Sequence, residues 1–366
     1  MFTLQELGWC DFFARQAGNE SVLVPARVAG ENRELYRLLC EQGEFLAELN
    51  GKLRHATASR ADLPAVGDWV LAQPRLRENR AMIHRVLRRK AKFSRKIAGR
   101  KTLEQIIAAN IDVLFLVSSL NRDFNPRRME RYLTLAWDSG ARPVVLLNKA
   151  DLCENSEGFR AKAENAAMAA RVVLTSATRG DGLEELHAIL RGGGGPQSCV
   201  TAALLGSSGV GKSSLINALL GNALPAGGRL ATQAVREGDD RGRHTTTSRQ
   251  LLLVPGGGVV IDTPGMRELQ LWDAADGIGH TFADIQELAA RCRFRDCRHQ
   301  SEPGCAVRAA VESETLDAFR VESFHKLERE EQFLEAKQDA ALRSQRTKEL
   351  RRMMKSVNRF YRQRGH

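Results

Sequence analysis

The sequence predicts a multi-domain α/β protein with a small N-terminal β-barrel, a central domain built on a parallel sheet, and a C-terminal helical domain. The 366 residues exceed one ordinary domain. Short strands with turns fill residues 21–97, and from Ile111 onward fully apolar strands alternate with helices. Because 43% of the residues are hydrophobic and 27% are charged, the chain can fill real cores and does not resemble a disordered protein.

The apolar pattern and the cysteine content exclude membrane and secreted classes. No uninterrupted apolar run approaches the ~18 residues of a membrane span, and the N-terminus lacks the basic start and apolar block of a signal peptide. Seven cysteines are an odd number and too few for a disulfide scaffold. We therefore expect a cytoplasmic protein of a reducing compartment that has no membrane partner. Because no oligomerisation signal is evident, we also expect a monomer.

Positive charge is concentrated in two segments. Residues 75–101 carry a net charge of +11 and residues 341–366 carry +8, which leaves −8 for the remaining chain. Such segments are typical of proteins that bind phosphate-rich partners, and they are also typical of a solvated surface. Phe93, Phe360 and Tyr361 lie within them and could stack on unpaired bases, but a role in anchoring the core is the favoured interpretation.

Residues 21–100 predict a small barrel, preceded by an N-terminal extension over residues 1–20. The stretches SVLVPARVAG, LYRLLC, GEFLAEL and VGDWVLAQ have the composition of short strands, and Gly30, Gly43 and Gly67 mark turns. An OB-like barrel is the commonest small barrel of this kind that binds RNA.

Residues 103–272 predict one α/β domain. Predicted strands are IDVLFLVSSL, RPVVLLN, RVVLTSA, CVTAALLG, RQLLLVP and GVVIDTPG, and predicted helices cover 127–139, 161–170, 182–190 and 212–220. Strands that are apolar throughout, alternating with helices, indicate a parallel sheet covered on both faces.

A phosphate-binding loop joins one of these strands to its helix. Residues 206–213 (GSSGVGKS) match the pattern G-x-x-x-x-G-K-[ST]. The backbone N–H groups of such a loop surround a phosphate at the positive end of a helix, Lys212 would meet the β and γ phosphates, and the Ser213 hydroxyl would ligate Mg²⁺. The strand and helix on either side disfavour the alternative, a turn before a core helix. The expected nucleotide contacts are Gly206, Ser207, Ser208, Gly209, Val210, Gly211, Lys212, Ser213 and Ser214.

The segment Asp262-Thr-Pro-Gly265 follows the strand GVVI. An acid at the end of a buried strand can hold Mg²⁺ through water, and the N–H of Gly265 could bond a γ-phosphate. By itself the segment would also suit a turn at a strand end. Because the chain also contains the phosphate loop, the nucleotide interpretation of this segment is favoured.

Two further strand ends predict a guanine site. Asn148-Lys149-Ala-Asp151 ends one strand, and a carboxylate there can accept hydrogen bonds from N1–H and the exocyclic amine of guanine, which adenine cannot supply. Ser176 and Ala177 end the next strand and would bring a backbone N–H to the guanine oxygen. The predicted nucleotide is therefore GTP, with GDP as product.

The motifs stand in an unusual order. In ordinary GTPases the phosphate loop comes first, whereas here Asn148–Asp151 and Ser176–Ala177 precede it. A circular permutation explains this order without changing the site, if residues 191–196, a Gly-rich bridge, join the usual chain ends. The new chain opening then falls after Gly265.

A cysteine-rich segment near the C-terminus predicts a structural metal site. Cys292, Cys297, His299 and Cys305 supply three thiolates and one imidazole, which complete a closed tetrahedral Zn²⁺ site, and Gly304 permits a tight turn before the last ligand. The alternatives are cysteines without metal, or zinc bound elsewhere with His299 at the surface. The domain would fold only with metal bound. Four other cysteines are predicted to be core or incidental residues: Cys10, Cys40, Cys153 and Cys199.

Over nearly its whole length the chain resembles the ribosome small subunit-dependent GTPase A family. The resemblance rests on Val66–Val70 (VGDWV), the nucleotide motifs, Gly242–Thr247 (GRHTTT) and the zinc spacing. It implies an N-terminal OB domain, a circularly permuted P-loop GTPase domain, and a zinc-binding helical domain with a basic tail over 273–366. It also implies binding to the small (30S) ribosomal subunit and its 16S rRNA late in maturation, with release by GTP hydrolysis that the subunit stimulates.

The residue that orients the attacking water is not the usual one. Many GTPases place a Gln directly after the D-x-x-G motif, but here that position is Met266. His244, between the phosphate-loop helix and the next strand, is the candidate catalytic residue because a neutral imidazole can align a water, and the family resemblance indicates the same histidine. An exposed or RNA-facing His244 is the alternative. One of Thr245, Thr246 and Thr247 should ligate Mg²⁺, with Thr246 preferred.

The segments around His244 and after Gly265 are expected to be ordered by GTP and to loosen after hydrolysis. Because the chain runs from Gly265 into the zinc domain, loosening could reposition the C-terminal arm on RNA. Arg241 and Arg243 would contact RNA phosphate or γ-phosphate. Alternative functions are a GTPase acting on another RNA or on DNA, and a GTP-binding RNA scaffold without turnover.

Overall fold

The structure is a computed structural model that describes residues 2–18, 22–32, 35–57, 59–97, 103–120, 124–167, 170–192, 199–221, 249–262, 275–334 and 336. Within these residues lie a closed barrel, a largely parallel sheet flanked by helices, and a C-terminal group of helices. This is the arrangement that the sequence predicts.

Five strands form the N-terminal barrel. Its elements, with the helix that precedes them, are α1 (Asp11–Ala17), β1 (Val24–Asn32), β2 (Leu35–Cys40), β3 (Gly43–Leu49), α2 (Gly51–Ala56), β4 (Trp69–Arg75) and β5 (Arg80–Val86). The strands pair in the order β1-β2-β3-β5-β4, and β4 returns to β1 to close the barrel. Only β3 and β5 pair in parallel among these strands. Alternate apolar side chains such as Val28, Leu38 and Ile83 fill the interior, so the predicted OB-like barrel is confirmed.

The N-terminal extension packs against the barrel. Leu7 and Phe13 are fully buried, and the ring of Trp9 meets that of Trp69 edge-on with the centroids 4.7 Å apart. These residues extend the barrel core toward the central domain.

Part of the basic run 75–101 supports the fold. Arg85 donates to the last two carbonyl oxygens of α1 at 2.7 and 3.0 Å, and Arg89 forms a close ion pair, 2.6 Å, with the fully buried carboxylate of Asp68. Phe93 is buried, in agreement with its predicted core role. Phe360 and Tyr361 lie outside the described residues.

The central domain follows a two-stranded ribbon. The ribbon pairs β6 (Lys92–Ile97) with β7 (Leu103–Ala109). The domain contains β8 (Val113–Ser119), α3 (Pro126–Asp138), β9 (Arg142–Asn148), α4 (Ser156–Ala166), β10 (Arg171–Leu174), α5 (Leu183–Leu190), β11 (Thr201–Leu205), α6 (Lys212–Leu220), β12 (Gln250–Leu253) and β13 (Val259–Asp262). The strand order is β10-β9-β8-β11-β13-β12, and only β12 is antiparallel to its neighbour.

One predicted helix is displaced. The sequence predicts a helix over 161–170, whereas α4 begins at Ser156 and ends at Ala166. The side chain of Asn155 accepts a hydrogen bond from the backbone N–H of Gly158 at 3.1 Å, and this cap fixes the earlier start.

Leu190 and Val200, which lie on either side of the Gly-rich bridge, are in contact. The backbone N–H of Val200 donates to the carbonyl oxygen of Leu190 at 3.1 Å. If the domain is counted from β11, the motifs follow the order phosphate loop, Asp262, Asn148 and Ser176, as in an unpermuted domain.

A buried arginine joins the barrel to the central sheet. Arg27 in β1 donates to the Thr201 hydroxyl of β11 at 2.8 Å and to the carbonyl oxygen of Asn110 at 3.4 Å. Its guanidinium also lies 5.4 Å from the centroid of the Trp69 ring. Burial lowers the pKa of Arg27. Beside this contact β1 pairs with β12 at Gly30, so the barrel and the central sheet are continuous.

The C-terminal helices dock on the central domain. They are α7 (Ala275–Thr281), α8 (Ala283–Ala289), α9 (Ala306–Glu312) and α10, which covers 318–334. A Cβ on Gly277 of α7 would lie 2.3 Å from the backbone oxygen of Thr134, so α7 approaches α3 too closely for a larger residue. In the described part of the chain, no helix is both long and apolar enough to span a membrane.

Candidate nucleotide and metal sites

The predicted nucleotide motifs meet at one edge of the central sheet. Asn148 is the last residue of β9 and Asp262 the last of β13, while Ser176 and Gly206 follow β10 and β11. Because these are parallel strands of one sheet, their carboxyl ends form the crevice in which α/β proteins bind ligands.

The phosphate loop has the backbone that its glycines permit. Gly209 and Gly211 have φ of +76° and +97°, and a Cβ on Gly206 would lie 2.3 Å from a carbonyl oxygen of β8. Helix α6 begins at Lys212, whose ammonium donates to the carbonyl oxygens of Gly206 and Ser207 at 2.8 and 2.7 Å. The loop thus holds its lysine beside the backbone N–H groups at the start of the helix, where an anion is favoured.

Asn148 fastens the phosphate loop to β9. Its side-chain amide donates to the carbonyl oxygen of Val210 at 2.8 Å, and its side-chain oxygen accepts from the Thr175 hydroxyl at 3.4 Å. Asn148 and Thr175 are both buried. The predicted base-reading and phosphate-binding segments are therefore parts of one hydrogen-bonded unit.

Asp151 presents a carboxylate at the open side of this unit. Lys149 adopts a left-handed conformation with φ of 65°, which leads into a single turn over Ala150–Leu152. Hydrogen bonds from Ser176 and then Thr178 lower the pKa of Asp151. The half-buried carboxylate is consequently ionised at neutral pH and can accept hydrogen bonds from a ligand.

The pKa of Asp262 is shifted in the opposite direction from that of Asp151. Burial raises the pKa of its carboxyl, and the positive charge of Lys212 lowers it. A cation beside Asp262 would stabilise the ionised form further. A carboxylate at this depth near a lysine is suited to a magnesium nucleotide.

The four predicted metal ligands converge in the C-terminal domain. The ligand atoms of Cys292, Cys297, His299 and Cys305 all lie within 4.8 Å of one another, and the group could hold a metal ion. Cys292 Sγ lies 3.9 Å from Cys305 Sγ, and His299 Nδ1 lies 3.6 and 3.4 Å from these two sulfurs. Zn–S bonds of about 2.3 Å and Zn–N bonds of about 2.0 Å in a tetrahedron give S···S near ~3.8 Å and S···N near ~3.5 Å. The donor set and its spacing fit zinc.

The backbone around this group is shaped for ligation. Gly304 has φ of +74° and His299 has φ of +59°, so two tight turns separate the ligands. The Glu302 carboxylate accepts hydrogen bonds from the N–H groups of Arg298, Gln300 and Ser301 at 2.9–3.0 Å. Hydrogen bonds from the backbone of this loop, including its own N–H, lower the pKa of Glu302 to about 2.

The thiols ionise unequally. Burial opposes ionisation of Cys292, but the N–H groups of Ala306 and Val307 outweigh it and lower the pKa of this thiol. Desolvation and the neighbouring thiols raise the pKa of Cys297 to about 11. Three thiolates so close together repel one another, so a bound cation is needed to hold all three.

The comparisons with known proteins identify the family of this chain. The family model described as RsgA GTPase matches residues 86–272. The chain is 47% identical over 352 residues to the small ribosomal subunit biogenesis GTPase RsgA of Opitutus terrae, covering 93% of both chains.

The chain belongs to the RsgA GTPase family. It hydrolyses GTP, as this family does.

Further relatives extend this result. A protein of the same name from Streptomyces coelicolor is 42% identical over 94% of this chain and 90% of its own. The crystal structure of YjeQ from Thermotoga maritima, 27% identical, superposes with a TM-score of 0.62 over 83% of this chain and 97% of that one. YloQ, described as a circularly permuted GTPase and 22% identical, gives a TM-score of 0.60 over 86% and 97% and shares the fold. The predicted family and the permuted fold are therefore confirmed.

Several predicted residues of this RsgA GTPase lie outside the described part of the chain. They are the candidate catalytic residue His244, the candidate magnesium ligand Thr246 with its alternatives Thr245 and Thr247, and Gly265, Met266, Arg241 and Arg243. The basic tail 341–366 also lies there. Their assignments remain predictions.

Sequence reasoning missed two side chains of these sites. Thr178 bonds the carboxylate of Asp151, and Glu302 closes the metal-binding loop. Thr178 follows Ser176-Ala177 by one position, and Glu302 lies between two metal ligands, so proximity to the motifs was the available signal. The motifs do not require a threonine or a glutamate at these positions. The contacts of Thr178 and Glu302 depend on how the local turn folds, so the sequence pattern does not specify them.

Proposed function

We propose that this RsgA GTPase binds the small ribosomal subunit late in its maturation and leaves it after GTP hydrolysis that the subunit stimulates. The observation that carries the proposal is that two relatives are both called small ribosomal subunit biogenesis GTPase. They are 47% and 42% identical to this chain over 93% and 94% of its length. The hydrogen-bonded unit that joins Asn148 to the phosphate loop supports the nucleotide part.

We assign the nucleotide contacts to the crevice at the sheet edge. The phosphate loop, residues 206–214, would surround the β-phosphate with backbone N–H groups, and Lys212 would exchange its two carbonyl partners for phosphate oxygens. Asp151 would accept from the guanine edge, and Ser176 and Ala177 would face the guanine oxygen. Ser213 and Asp262 would hold Mg²⁺, which neutralises phosphate charge, with Thr246 as a further ligand in the GTP state.

Water alignment is assigned to His244. Because Met266 cannot orient a water, intrinsic hydrolysis is expected to be slow, and the bound subunit would place His244 against the γ-phosphate. Gly265 would donate its N–H to that phosphate.

Zinc is the metal that fits the C-terminal cluster. Cys292, Cys297, His299 and Cys305 would coordinate it, and since all four positions are protein atoms, zinc would stabilise the loop without taking part in hydrolysis. We place the domains at 1–20, 21–100, 103–272 and 273–366, although the ribbon of β6 and β7 spans the second boundary.

The metal-binding loop also offers a surface suited to 16S rRNA. Arg291, Arg293, Arg295 and Arg298 are all exposed around the ligands. Phe294 is 41% exposed, and the Arg293 guanidinium lies 5.5 Å from its ring centroid. Cations beside an exposed ring are the combination that binds phosphates and stacks on unpaired bases. We also propose that the protein acts as a monomer in the cytoplasm.

The first test is the rate of GTP hydrolysis with and without purified small ribosomal subunits. We expect a slow intrinsic rate that rises at least ~100-fold on adding subunits, and a Lys212→Ala variant that does not respond. His244→Ala should lose the stimulated rate while retaining GTP affinity. A rate that is indifferent to small subunits, or equal stimulation by another RNA or duplex DNA, would contradict the ribosomal partner and favour a GTPase with a different nucleic acid.

A second test addresses coupling. Residues 263–274 connect Asp262, a proposed magnesium ligand, to α7 of the C-terminal domain. We therefore expect the bound nucleotide and the position of the C-terminal domain to influence each other. Affinity for small subunits should be higher with a GTP analogue than with GDP, and Lys212→Ala should abolish the difference while the fold stays intact. Equal affinity in both nucleotide states of the unchanged protein would refute the coupling.

A further inference from the structure

We propose that Thr178 is the positioning residue for base selection, which holds the Asp151 carboxylate in the orientation that guanine requires. The inference rests on the role proposed above for Asp151 and extends it. It concerns a side chain that the nucleotide and metal contacts proposed above do not include.

The contact geometry defines a chain of hydroxyl groups. Thr178 Oγ1 lies 3.1 Å from Asp151 Oδ2, and Ser176 Oγ lies 3.0 Å from Thr178 Oγ1. The backbone N–H of Arg179 donates to Ser176 Oγ at 3.1 Å. Four groups are thus linked from the backbone to the carboxylate.

The chemistry of these groups assigns the hydrogens. An ionised carboxylate can only accept, so the Thr178 hydroxyl donates to Asp151. Thr178 then has no hydrogen left for Ser176, so the hydrogen between them comes from Ser176, whose hydroxyl is shared between Thr178 and Asp151. Ser176 in turn accepts from the backbone, so every hydrogen points toward Asp151. Hydrogen bonds in such a chain polarise one another.

The backbone holds both ends of this chain in place. The N–H of Ala150 donates to the carbonyl oxygen of Thr175 at 3.1 Å, which ties the turn carrying Asp151 to the loop carrying Thr178. The loop is closed by two further bonds, from Gly180 N to Ser176 O at 2.8 Å and from Ser176 N to Asp181 O at 3.0 Å. The hydroxyl of Thr178 therefore approaches Asp151 from a fixed direction.

This arrangement restricts an otherwise mobile carboxylate. Asp151 is only partly buried, and reading guanine requires both of its oxygens to face N1–H and the exocyclic amine together. Thr178 occupies one acceptor direction of Oδ2 and so limits rotation of the carboxylate plane, while the remaining lone pairs stay available. The same bond also lowers the pKa of Asp151, after the larger contribution of Ser176.

The experiment compares Thr178→Val, which keeps the shape and removes the hydroxyl, with Thr178→Ser, which keeps the hydroxyl. Equilibrium affinity is measured for GTP and for inosine triphosphate, which lacks the exocyclic amine. We expect Thr178→Val to weaken GTP binding about five- to tenfold, the effect of losing one hydrogen bond of ordinary strength. The preference for GTP over inosine triphosphate should fall by a similar factor, while Thr178→Ser remains near the unchanged protein. The kcat at saturating GTP should not change.

Two variants make the outcomes distinguishable. Thr315 is an exposed residue of the C-terminal domain whose hydroxyl donates to the carbonyl oxygen of Ala310. Thr315→Val is therefore the matched control and should leave both affinities unchanged. Asp151→Ala tests the proposed role of the carboxylate directly. If Asp151→Ala loses the base preference but Thr178→Val keeps it, the inference about Thr178 is wrong and the proposed site stands. If Asp151→Ala also keeps the preference, the assignment of Asp151 fails, and the inference fails with it.

Discussion

Arg320 is the buried charge that fastens the C-terminal helices to the GTPase domain. It lies on α10 and forms hydrogen bonds of 2.7 and 2.8 Å to Asp284 of α8 and of 3.0 Å to Glu130 of α3. It also donates to the carbonyl oxygens of Thr281 at 2.8 Å and Ala166 at 3.2 Å. Four elements from two domains therefore meet on one guanidinium.

Replacing Arg320 with Met should open this interface. Arg320 and Glu130 have only 7% and 4% of their side-chain surface exposed, so solvent cannot replace the lost partner. Removing one partner of such a buried pair costs about 3–5 kcal/mol because the other charge remains buried. If this free energy is lost from docking of the C-terminal helices, local opening of the interface becomes about 10²- to 5 × 10³-fold more frequent.

Hydrogen exchange measured by mass spectrometry on peptides of α3 and α7 would report this opening. Peptides of the barrel strands serve as an internal reference and should not change. Arg308→Met is the matched control, since Arg308 pairs with Glu312 on the exposed surface of α9, and such a pair contributes at most about 1 kcal/mol. Exchange in α3 and α7 of Arg320→Met within fivefold of the unchanged protein would refute the reasoning.

The same variant should respond to pH in a defined direction. Burial raises the pKa of Glu130, while Ser323 and Arg320 lower it. An acid whose pKa is higher in the folded state binds more protons there, so it favours folding as the pH falls through its folded pKa. Without Arg320 the pKa of Glu130 should rise further. The loss in thermal midpoint for Arg320→Met should therefore be smaller at pH 6 than at pH 8, and a larger loss at pH 6 would contradict this account.

Further predictions concern two glycines and the metal site. Gly277→Ala should separate α7 from α3 and lower the free energy of unfolding in urea by about 2 kcal/mol through overpacking. Gly51→Ala is the control, because no atom lies within 4 Å of the new Cβ, and its free energy of unfolding should stay unchanged or rise slightly. Gly67→Val should lower the free energy of unfolding by more than about 3 kcal/mol in the same assay. The reason is that Gly67 has φ of +93° and that a Cβ there would lie 2.2 Å from a backbone oxygen. Equal stability would contradict the left-handed turn. A chromophoric chelator should release one zinc per chain and increase proteolysis of residues 292–305. Cys305→Ser should purify without zinc while Cys153→Ser retains it, and zinc in both variants would exclude Cys305 as a ligand.

Local sequence predicted the parts of the fold whose signal lies within a short window. RPVVLLN corresponds to β9 residue for residue, and the predicted helix 212–220 is α6. A buried parallel strand must be apolar on both faces, and the phosphate loop fixes where its helix begins. The metal ligands were equally predictable, because their spacing leaves few other ways to satisfy three thiols and an imidazole.

The sequence by itself determined the class of fold, the permuted order of the motifs and the residue types of both sites. Only the tertiary structure decided which charges support the fold and which face a partner. Arg27 and Arg320 belong to an ordinary-looking strand and helix, yet their partners Thr201 and Glu130 lie 174 and 190 residues away in the chain. The cost of burying a guanidinium depends on the groups that meet it in space, and no local pattern records these. The same reason separates Thr178, whose hydroxyl acts on Asp151 across a folded loop, from the other threonines of the chain.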